Sequence, residues 1–444
     1  MGTEMKVEII TRKTIKPSSP ASKNNRTLKL SLLDQSFSTY SPMIFFYTSN
    51  TNTPSSLELQ ERSKSLQKSL SKTLVHFYPL AGRLQNNVSI DCNDEGAYFV
   101  EAHIKCNLLD FLNQPNSKLI NHLLPINDPQ ISKLPTNNVV LLLQLNLFSC
   151  GGIAIASSSS HKILDASSLF SFFNAWSTIS RENGDKVVPP QFIGASLLPP
   201  KDDNFPIKRT VSPKGPNFSS KRFFFYASKL ASLKAKISST TTTNQLLVNP
   251  SKVEVVSAIL FKCAVASSHS SRRPVVLTQF VNLRTRMLPP MPPNSVGNLI
   301  WSFPVFFEEM SVELHEIVAK MRKGLVNFCN EKAPRFKGED GFSLVCESLR
   351  EENKLLEMGI DTYSFTSARN VPFLETDFGW GKPIWATCPL FYKNKFVLSD
   401  TTCGSGIEVW VTLEEQHMAM FERHEELLEY ASINPSAAIT HCRM

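Results

Sequence analysis

His161 and Asp165 form an H-x-x-x-D unit in the string SSSSHKILDASSLF, directly after an apolar segment. An imidazole titrates near neutrality, with an unperturbed pKa of about 6.5, so it suits a reaction that needs one proton taken from a weak nucleophile. Moving an acyl group from a thioester to an alcohol is such a reaction, because a hydroxyl attacks poorly until its proton is leaving. Asp165 either bonds His161 directly or holds the turn by pairing with a basic side chain elsewhere. Nine histidines give an isolated H-x-x-x-D many chances to arise, so the unit takes its meaning from its surroundings.

A second unusual string is Asp377-Phe378-Gly379-Trp380-Gly381. Glycines on both sides of a tryptophan permit turns closed to other residues, and Asp377 adds a fixed negative charge beside them. Reading its first three residues as a magnesium-binding kinase motif fails, because neither an HRD catalytic loop nor a G-x-G-x-x-G precedes them. Asn282 to Met287 (NLRTRM) offers two arginines at a strand end, and either Arg284 or Arg286 is a candidate partner for Asp377, the alternative being a solvated basic turn. The sequence carries no G-x-S-x-G nucleophile elbow, no G-x-x-x-x-G-K-[ST] and no H-E-x-x-H. The other histidines lack metal-ligand spacing with cysteine or with one another, so no metal is expected.

These side chains must be positioned by the elements around them. Val139 to Phe148 is an almost continuous apolar run of strand character, Cys150-Gly151-Gly152 reads as a turn, and Ile153 to Ala156 reads as the returning strand. Leu169, Phe173 and Trp176 recur at helical spacing, so a helix follows shortly after His161. A strand-to-helix junction holds a side chain rigidly yet leaves it exposed, which suits a catalytic histidine. Upstream, Leu59, Leu66, Leu70 and Leu74 predict an amphipathic helix between Ser55 and Phe77, and Gly96 to Ala102 predicts a strand. Downstream, Phe223-Phe224-Phe225-Tyr226 reads as core strand before a helix, Lys252 to Ser267 as a helix, and Val275 to Met287 as a strand ending in a basic turn. Helices around Ser311 to Cys329 and Gly341 to Leu356, strands at Thr362 to Ser367 and Ile407 to Leu413, and a final helix from Glu414 to about Tyr430 complete the reading.

The mixture is α/β in two halves. Residues 1–196 carry H-x-x-x-D, a proline- and charge-rich stretch at 197–217 reads as a crossover linker, and residues 218–444 carry NLRTR and DFGWG. Ser238 to Gln245 is a polar low-complexity loop. With 444 residues, 42% hydrophobic and 19% charged, the chain is long enough for two compact domains and too apolar for wholesale disorder. The net charge of +8 comes from basic residues scattered as singles and pairs, which argues against nucleic acid as a partner. Nine cysteines without a C-x-x-C pair suit reduced thiols. No apolar span long enough for a signal or membrane helix occurs and no lipidation pattern fits, so a cytoplasmic protein without a membrane partner is expected.

HKILD and DFGWG in this order resemble the plant BAHD acyltransferase family, which uses coenzyme A thioesters. Leu30 to Gln35 (LSLLDQ), Ser69 to Leu84, Cys150 to Ile155 (CGGIAI), NLRTRM, Ser295 to Asn298 (SVGN) and GIEVW are also similar to text carried by that family, so the resemblance covers nearly the whole chain. TIKPSSP (Thr14 to Pro20), TLVHFYP and DFGWGKPIW (Asp377 to Trp385) are most similar to its alkaloid O-acetyltransferases of plant specialised metabolism. Ser295-Val296-Gly297-Asn298-Leu299 stands where the malonyl-specific branch has YFGNC, which argues against malonyl transfer.

The resemblance implies two chloramphenicol-acetyltransferase-like domains with a substrate channel between them. It implies acetyl-CoA as cosubstrate, a small-molecule alcohol as acceptor entering from the opposite face, and a monomer. His161 is then the general base, and Asp165 points away from the substrate and holds its loop through an arginine. Asp377 is expected to pair with Arg284 at a distance from the chemistry, so that Asp377, Gly379, Trp380, Gly381 and Arg284 form a structural element. Ala156 and Ala166 stand where glycine is common, with an altered turn backbone as the expected result, and Ser367-Ala368 stands where many relatives have Ser-Trp. Two other readings are a transferase using malonyl-CoA or another acyl-CoA on an alkaloid, phenolic or terpenoid alcohol, and a noncatalytic paralogue that keeps the fold and binds a ligand.

Overall fold

The computed structural model describes residues 5–49, 55–115, 117–127, 138–201, 217–239, 249–268, 274–308, 312–389, 392–402 and 404–438. Most of the expected crossover at 197–217 and of the loop at 238–245 lies outside the described residues, as do Cys403, Cys442, His269 and His441.

Among the described residues two large mixed sheets carry the α/β architecture. The first has six strands in the order Val7–Ile15, Ala97–Ile104, Leu141–Phe148, Ile153–Ser160, Tyr40–Tyr47 and Trp385–Thr387. Its hairpin, Leu141–Phe148 with Ile153–Ser160, is central and buried along its whole length, which is why the apolar run shows no alternation. The two polar residues within that run satisfy each other and the backbone: Gln144 Nε2 donates to Asn146 Oδ1 at 2.8 Å, and Asn146 Nδ2 donates to the Leu123 carbonyl at 3.1 Å. The returning strand is longer than the apolar residues indicate. Ser157 to Ser160 stay extended because both neighbouring strands supply ladder partners, with Ser157 opposite Met43 and Leu143. The helices Ser56–His76 and Ala166–Ser180 cover this sheet, and Trp176 Nε1 joins them by donating to the Leu66 carbonyl at 3.1 Å.

The second sheet has seven strands in the order Ile300–Phe307, Val275–Asn282, Thr362–Ser367, Lys395–Asp400, Ile407–Glu414, Phe218–Phe225 and Ser432–Ile433. It packs against the helices Ala227–Ser239, Lys252–Ser267 and Leu314–Asn327. The expected final helix is instead two short ones, Glu415–Phe421 and Glu425–Leu428, broken where His424 N donates to the Phe421 carbonyl at 3.2 Å.

The two halves exchange a strand, which a division into 1–196 and 218–444 does not contain. Trp385–Thr387 leaves the second half and pairs antiparallel with Ile44 to Phe46 at the edge of the first sheet. Trp385 stacks on Phe46 with centroids 5.1 Å apart, while Phe373 and Phe378 enter the separate core that holds Phe45 and Trp176. From the second sheet, Trp410 Nε1 donates to Thr387 Oγ1 at 2.7 Å, and Glu408 accepts from Trp385 Nε1 at 3.2 Å while pairing with Arg222 at 2.8 Å. Arg222 and Glu408 are buried, with side chains 1% and 6% exposed, and the guanidinium lies 5.0 Å from the Trp385 ring centroid. Removing one partner of such a pair strands a buried charge and costs about 3–5 kcal/mol. Glu408→Ala is therefore expected to lower the urea midpoint by about that energy and to release the Trp385 edge; a midpoint equal to wild type would show that the pair does not hold the exchanged strand.

Candidate active site

His161 stands where the strand Ile153–Ser160 ends, and one turn later Asp165 caps the helix Ala166–Ser180. The spacing of the motif is thus the length of the strand-to-helix turn. Asp165 Oδ1 accepts the Ser168 amide at 2.8 Å, and Ile163 and Leu164 between the two motif residues are buried in the first core. The His161 amide donates to the Thr39 carbonyl at 2.9 Å, and the half-buried imidazole stacks on Phe37 at 4.8 Å and 17°. Ala156 lies within a buried strand and Ala166 begins the helix, so neither sits in a turn whose backbone an alanine alters.

Asp165 faces away from His161 into a buried cluster. Arg284 pairs with it through two bonds, Nη1 to Oδ2 at 2.7 Å and Nη2 to Oδ1 at 3.1 Å. Arg284 also donates to the Ser295 carbonyl at 3.0 Å, to Asn282 Oδ1 at 3.2 Å and to Ser168 Oγ at 2.8 Å. Ser168 Oγ in turn donates to the Gly297 carbonyl at 2.8 Å, and the Leu299 amide donates to Asp165 Oδ2 at 3.0 Å. Burial alone would lift the Asp165 carboxyl, but the Arg284 guanidinium and the Ser168 bonds outweigh it and hold the group below its ordinary 3.8.

One residue of this cluster went unassigned in the sequence. Asp34 ends the Ser31-x-x-Asp34 capping box of the short helix Leu32–Gln35 and also takes the Asn298 amide at 2.7 Å. Burial lifts its carboxyl to about 6, with Asp165 adding to the rise and the Ser31 and Asn298 bonds opposing it. The capping-box spacing inside LSLLDQ was the available signal, and Phe37 and Thr39 lie just beyond it.

The expected Asp377–Arg284 pair does not exist. Arg284 is committed to Asp165, and Arg286 donates to the Asn282 carbonyl at 2.7 Å. Asp377 Oδ1 instead accepts the amides of Gly379 at 2.8 Å and Gly381 at 3.0 Å, closing its own loop. Both glycines have φ near +107°, a backbone that disfavours side chains. Trp380 lies edge-on to Tyr47 and parallel to Phe378, which itself packs edge-on to Trp176. The loop is thereby seated on the helices of the first half.

Beside His161 lies a cavity of about 500 Å³, the size of a small-molecule site, walled by both halves. Phe37, Thr39, Ser41 and His161 come from the first, and Thr278, Phe280, Ser364 and Tyr392 from the second, while none of the DFGWG residues lines it. Tyr392 hydrogen-bonds the Thr39 side chain, and burial raises its phenol above the ordinary value. Towards one side the wall becomes apolar with exposed Phe306, Leu356 and Met358, near Glu352, which accepts from Ser302 Oγ at 3.0 Å. Among the described residues no group of three or more His, Cys, Asp or Glu side chains could hold a metal ion.

The model of the transferase family matches residues 5–428. The chain belongs to that family, the BAHD acyltransferases. It is an acyl-CoA-dependent acyltransferase with the two-domain BAHD fold. An epi-neemfruitin B 7-O-acetyltransferase of Melia azedarach is 35% identical over 97% of this chain and 100% of its own length. Salutaridinol 7-O-acetyltransferase of Papaver somniferum is 34% identical over 95% of this chain and 98% of its own. The crystal structure of vinorine synthase superposes with a TM-score of 0.83 at 30% identity, covering 98% of this chain and 100% of that one.

Asp165→Ala leaves Arg284 buried without its carboxylate, so a loss of about 3–5 kcal/mol in chemical unfolding is expected. Because the folded carboxyl sits below its unfolded 3.8, its contribution is complete above that pH and is lost as pH falls through the lowered value; the wild type should lose its advantage over Asp165→Ala only on such acidification. Asp377→Ala removes the acceptor of two loop amides and should cost about 1–2 kcal/mol together with part of the turnover. A variant that unfolds like wild type yet has no turnover would contradict the structural role of Asp377.

Proposed function

We propose that this protein transfers the acetyl group of acetyl-CoA to a hydroxyl of a plant alkaloid by direct attack, with His161 as general base, and that it works as a cytoplasmic monomer. The observation that carries the reading is the imidazole on the wall of a cavity shared by both halves, where a thioester and an alcohol can meet. The relatives support the acetyl group and an oxygen acceptor by name, since two are named as O-acetyltransferases. The location is consistent with the finding that no helix among the described residues is long and apolar enough to cross a membrane.

In this mechanism His161 takes the acceptor proton as the hydroxyl oxygen attacks the thioester carbonyl. The imidazolium then returns that proton to the departing CoA thiolate, so no acyl-enzyme forms. Asp165 takes no part in the proton transfer, because its lone pairs are engaged by Arg284, Ser168 and Leu299. It fixes the turn that carries the base.

The test is incubation with acetyl-CoA and a panel of hydroxylated indole and isoquinoline alkaloids, read by mass gain, with malonyl-CoA and phenolic and terpenoid alcohols as competing donors and acceptors. Acetylation of an alkaloid is expected; product only from another donor or acceptor class would replace that part of the assignment. His161→Ala should lose about 10²–10⁴-fold in kcat while unfolding like wild type. Unchanged turnover would remove His161 as the base.

A further inference from the structure

Acyl transfer from a thioester builds negative charge on the carbonyl oxygen, and neither His161 nor the Asp165 cluster answers that charge. We propose that the Tyr392 phenol donates the hydrogen bond that stabilises this oxyanion, an assignment that rests on His161 being the base. Thr39 links the two groups: its carbonyl accepts the His161 amide at 2.9 Å, and its side chain bonds the Tyr392 phenol. All three residues line the same cavity. Tyr392 comes shortly after the exchanged strand Trp385–Thr387, which pairs with Tyr40–Tyr47, itself the neighbour of the strand that ends at His161.

The chemistry favours a phenol over the other donors on this wall. A phenol is a stronger donor than an aliphatic hydroxyl, and burial keeps this one protonated through the range in which an imidazole acts as a base. An ammonium in the same place would oppose formation of the imidazolium by like-charge repulsion, whereas a neutral phenol does not. The two lysines of the adjoining segment are already engaged: Lys393 pairs with Glu414 at 2.7 Å, and Lys395 lies 4.2 Å from the Phe280 ring centroid. In the step itself, the acceptor oxygen forms the new C–O bond while the carbonyl electron pair moves to oxygen. The carbonyl then re-forms as the C–S bond breaks, and the hydroxyl proton passes through His161 to the thiolate. Tyr392 keeps its own proton throughout, sharing it with the oxyanion only as a hydrogen bond.

The full-length enzyme is assayed by release of free CoA thiol from acetyl-CoA in the presence of its acceptor alcohol, comparing wild type, Tyr392→Phe and His161→Ala. Tyr392→Phe is expected to lower kcat by about 10²–10³-fold, with KM for acetyl-CoA and Tm unchanged. Site-specific 3-fluorotyrosine at 392 is expected to retain turnover and to lose it at lower pH than wild type, because its more acidic phenol ionises sooner. A merely structural tyrosine moves neither kcat alone nor the alkaline limb. Wild-type kcat in Tyr392→Phe, or a loss confined to KM or Tm, overturns the assignment. If His161→Ala is inactive while Tyr392→Phe is not, the oxyanion donor alone fails; if His161→Ala turns over normally, the base reading fails first.

Discussion

Everything at the site hangs from one buried charge pair. Arg284 and Asp165 come from opposite halves of the chain, and each nitrogen of the guanidinium is used: the carboxylate, Ser168, Asn282 and the Ser295 carbonyl take its bonds. The same cluster fixes residues 295–299 through Asp165, Ser168 and Asp34, so the second half is tied to the turn that carries His161. A buried pair of this kind adds little net stability over an apolar substitute, but its donors and acceptors are directional. The planar fork of arginine meets the two carboxylate oxygens while reaching three further acceptors, which a lysine ammonium could not do from one position. The consequence is geometric: His161 is held against a second wall, and the cavity exists between them.

The two signature strings therefore act in different places. H-x-x-x-D sets the wall of the cavity and the clamp beneath it. DFGWG closes on itself through Asp377 and inserts Phe378 into the first core. A few residues further along the chain comes the exchanged strand, whose Trp385 meets Phe46 on one side and the Arg222–Glu408 pair on the other. The loop lies away from the cavity and precedes the strand of the second half that joins the sheet carrying His161.

Much of this was legible in the sequence, and the boundary of legibility is physical. Elements defined by their own periodicity, such as the helices Ser56–His76 and Ala166–Ser180, could be read directly, because a helix finds its hydrogen bonds within itself. The serines after Ala156 could not be read as strand, since what keeps them extended is pairing with Tyr40–Tyr47 and Leu141–Phe148. Trp385–Thr387 was invisible for the same reason: three residues have no period, and their partner lies in the other half of the chain. The pairing of charges failed in a related way. Asp165, Asp377 and Arg284 could be named as candidates, but which carboxylate meets the arginine depends on the fold, and a short loop with two glycines satisfied Asp377 locally. Ala368 packs on the first core, with its amide on the Leu398 carbonyl at 2.8 Å, and is not among the residues that line the cavity.

The surroundings of His161 also bear on how the acyl group travels. A route through an acyl-enzyme needs a thiolate or an activated hydroxyl beside the base. None of the described cysteines lines the cavity, and burial pushes the thiols of Cys92, Cys263 and Cys388 up to about 12, well away from the thiolate form at neutral pH. That removes a thiolate route; direct attack by the acceptor, with His161 as the proposed base, requires donor and acceptor to be present together. A space of about 500 Å³ walled by both halves is the size of a small-molecule site, and the reacting ends of both must come together there. Selection among acceptors accordingly falls to the wall that the two halves share, and rate to how rigidly the clamp beneath His161 keeps that wall in place.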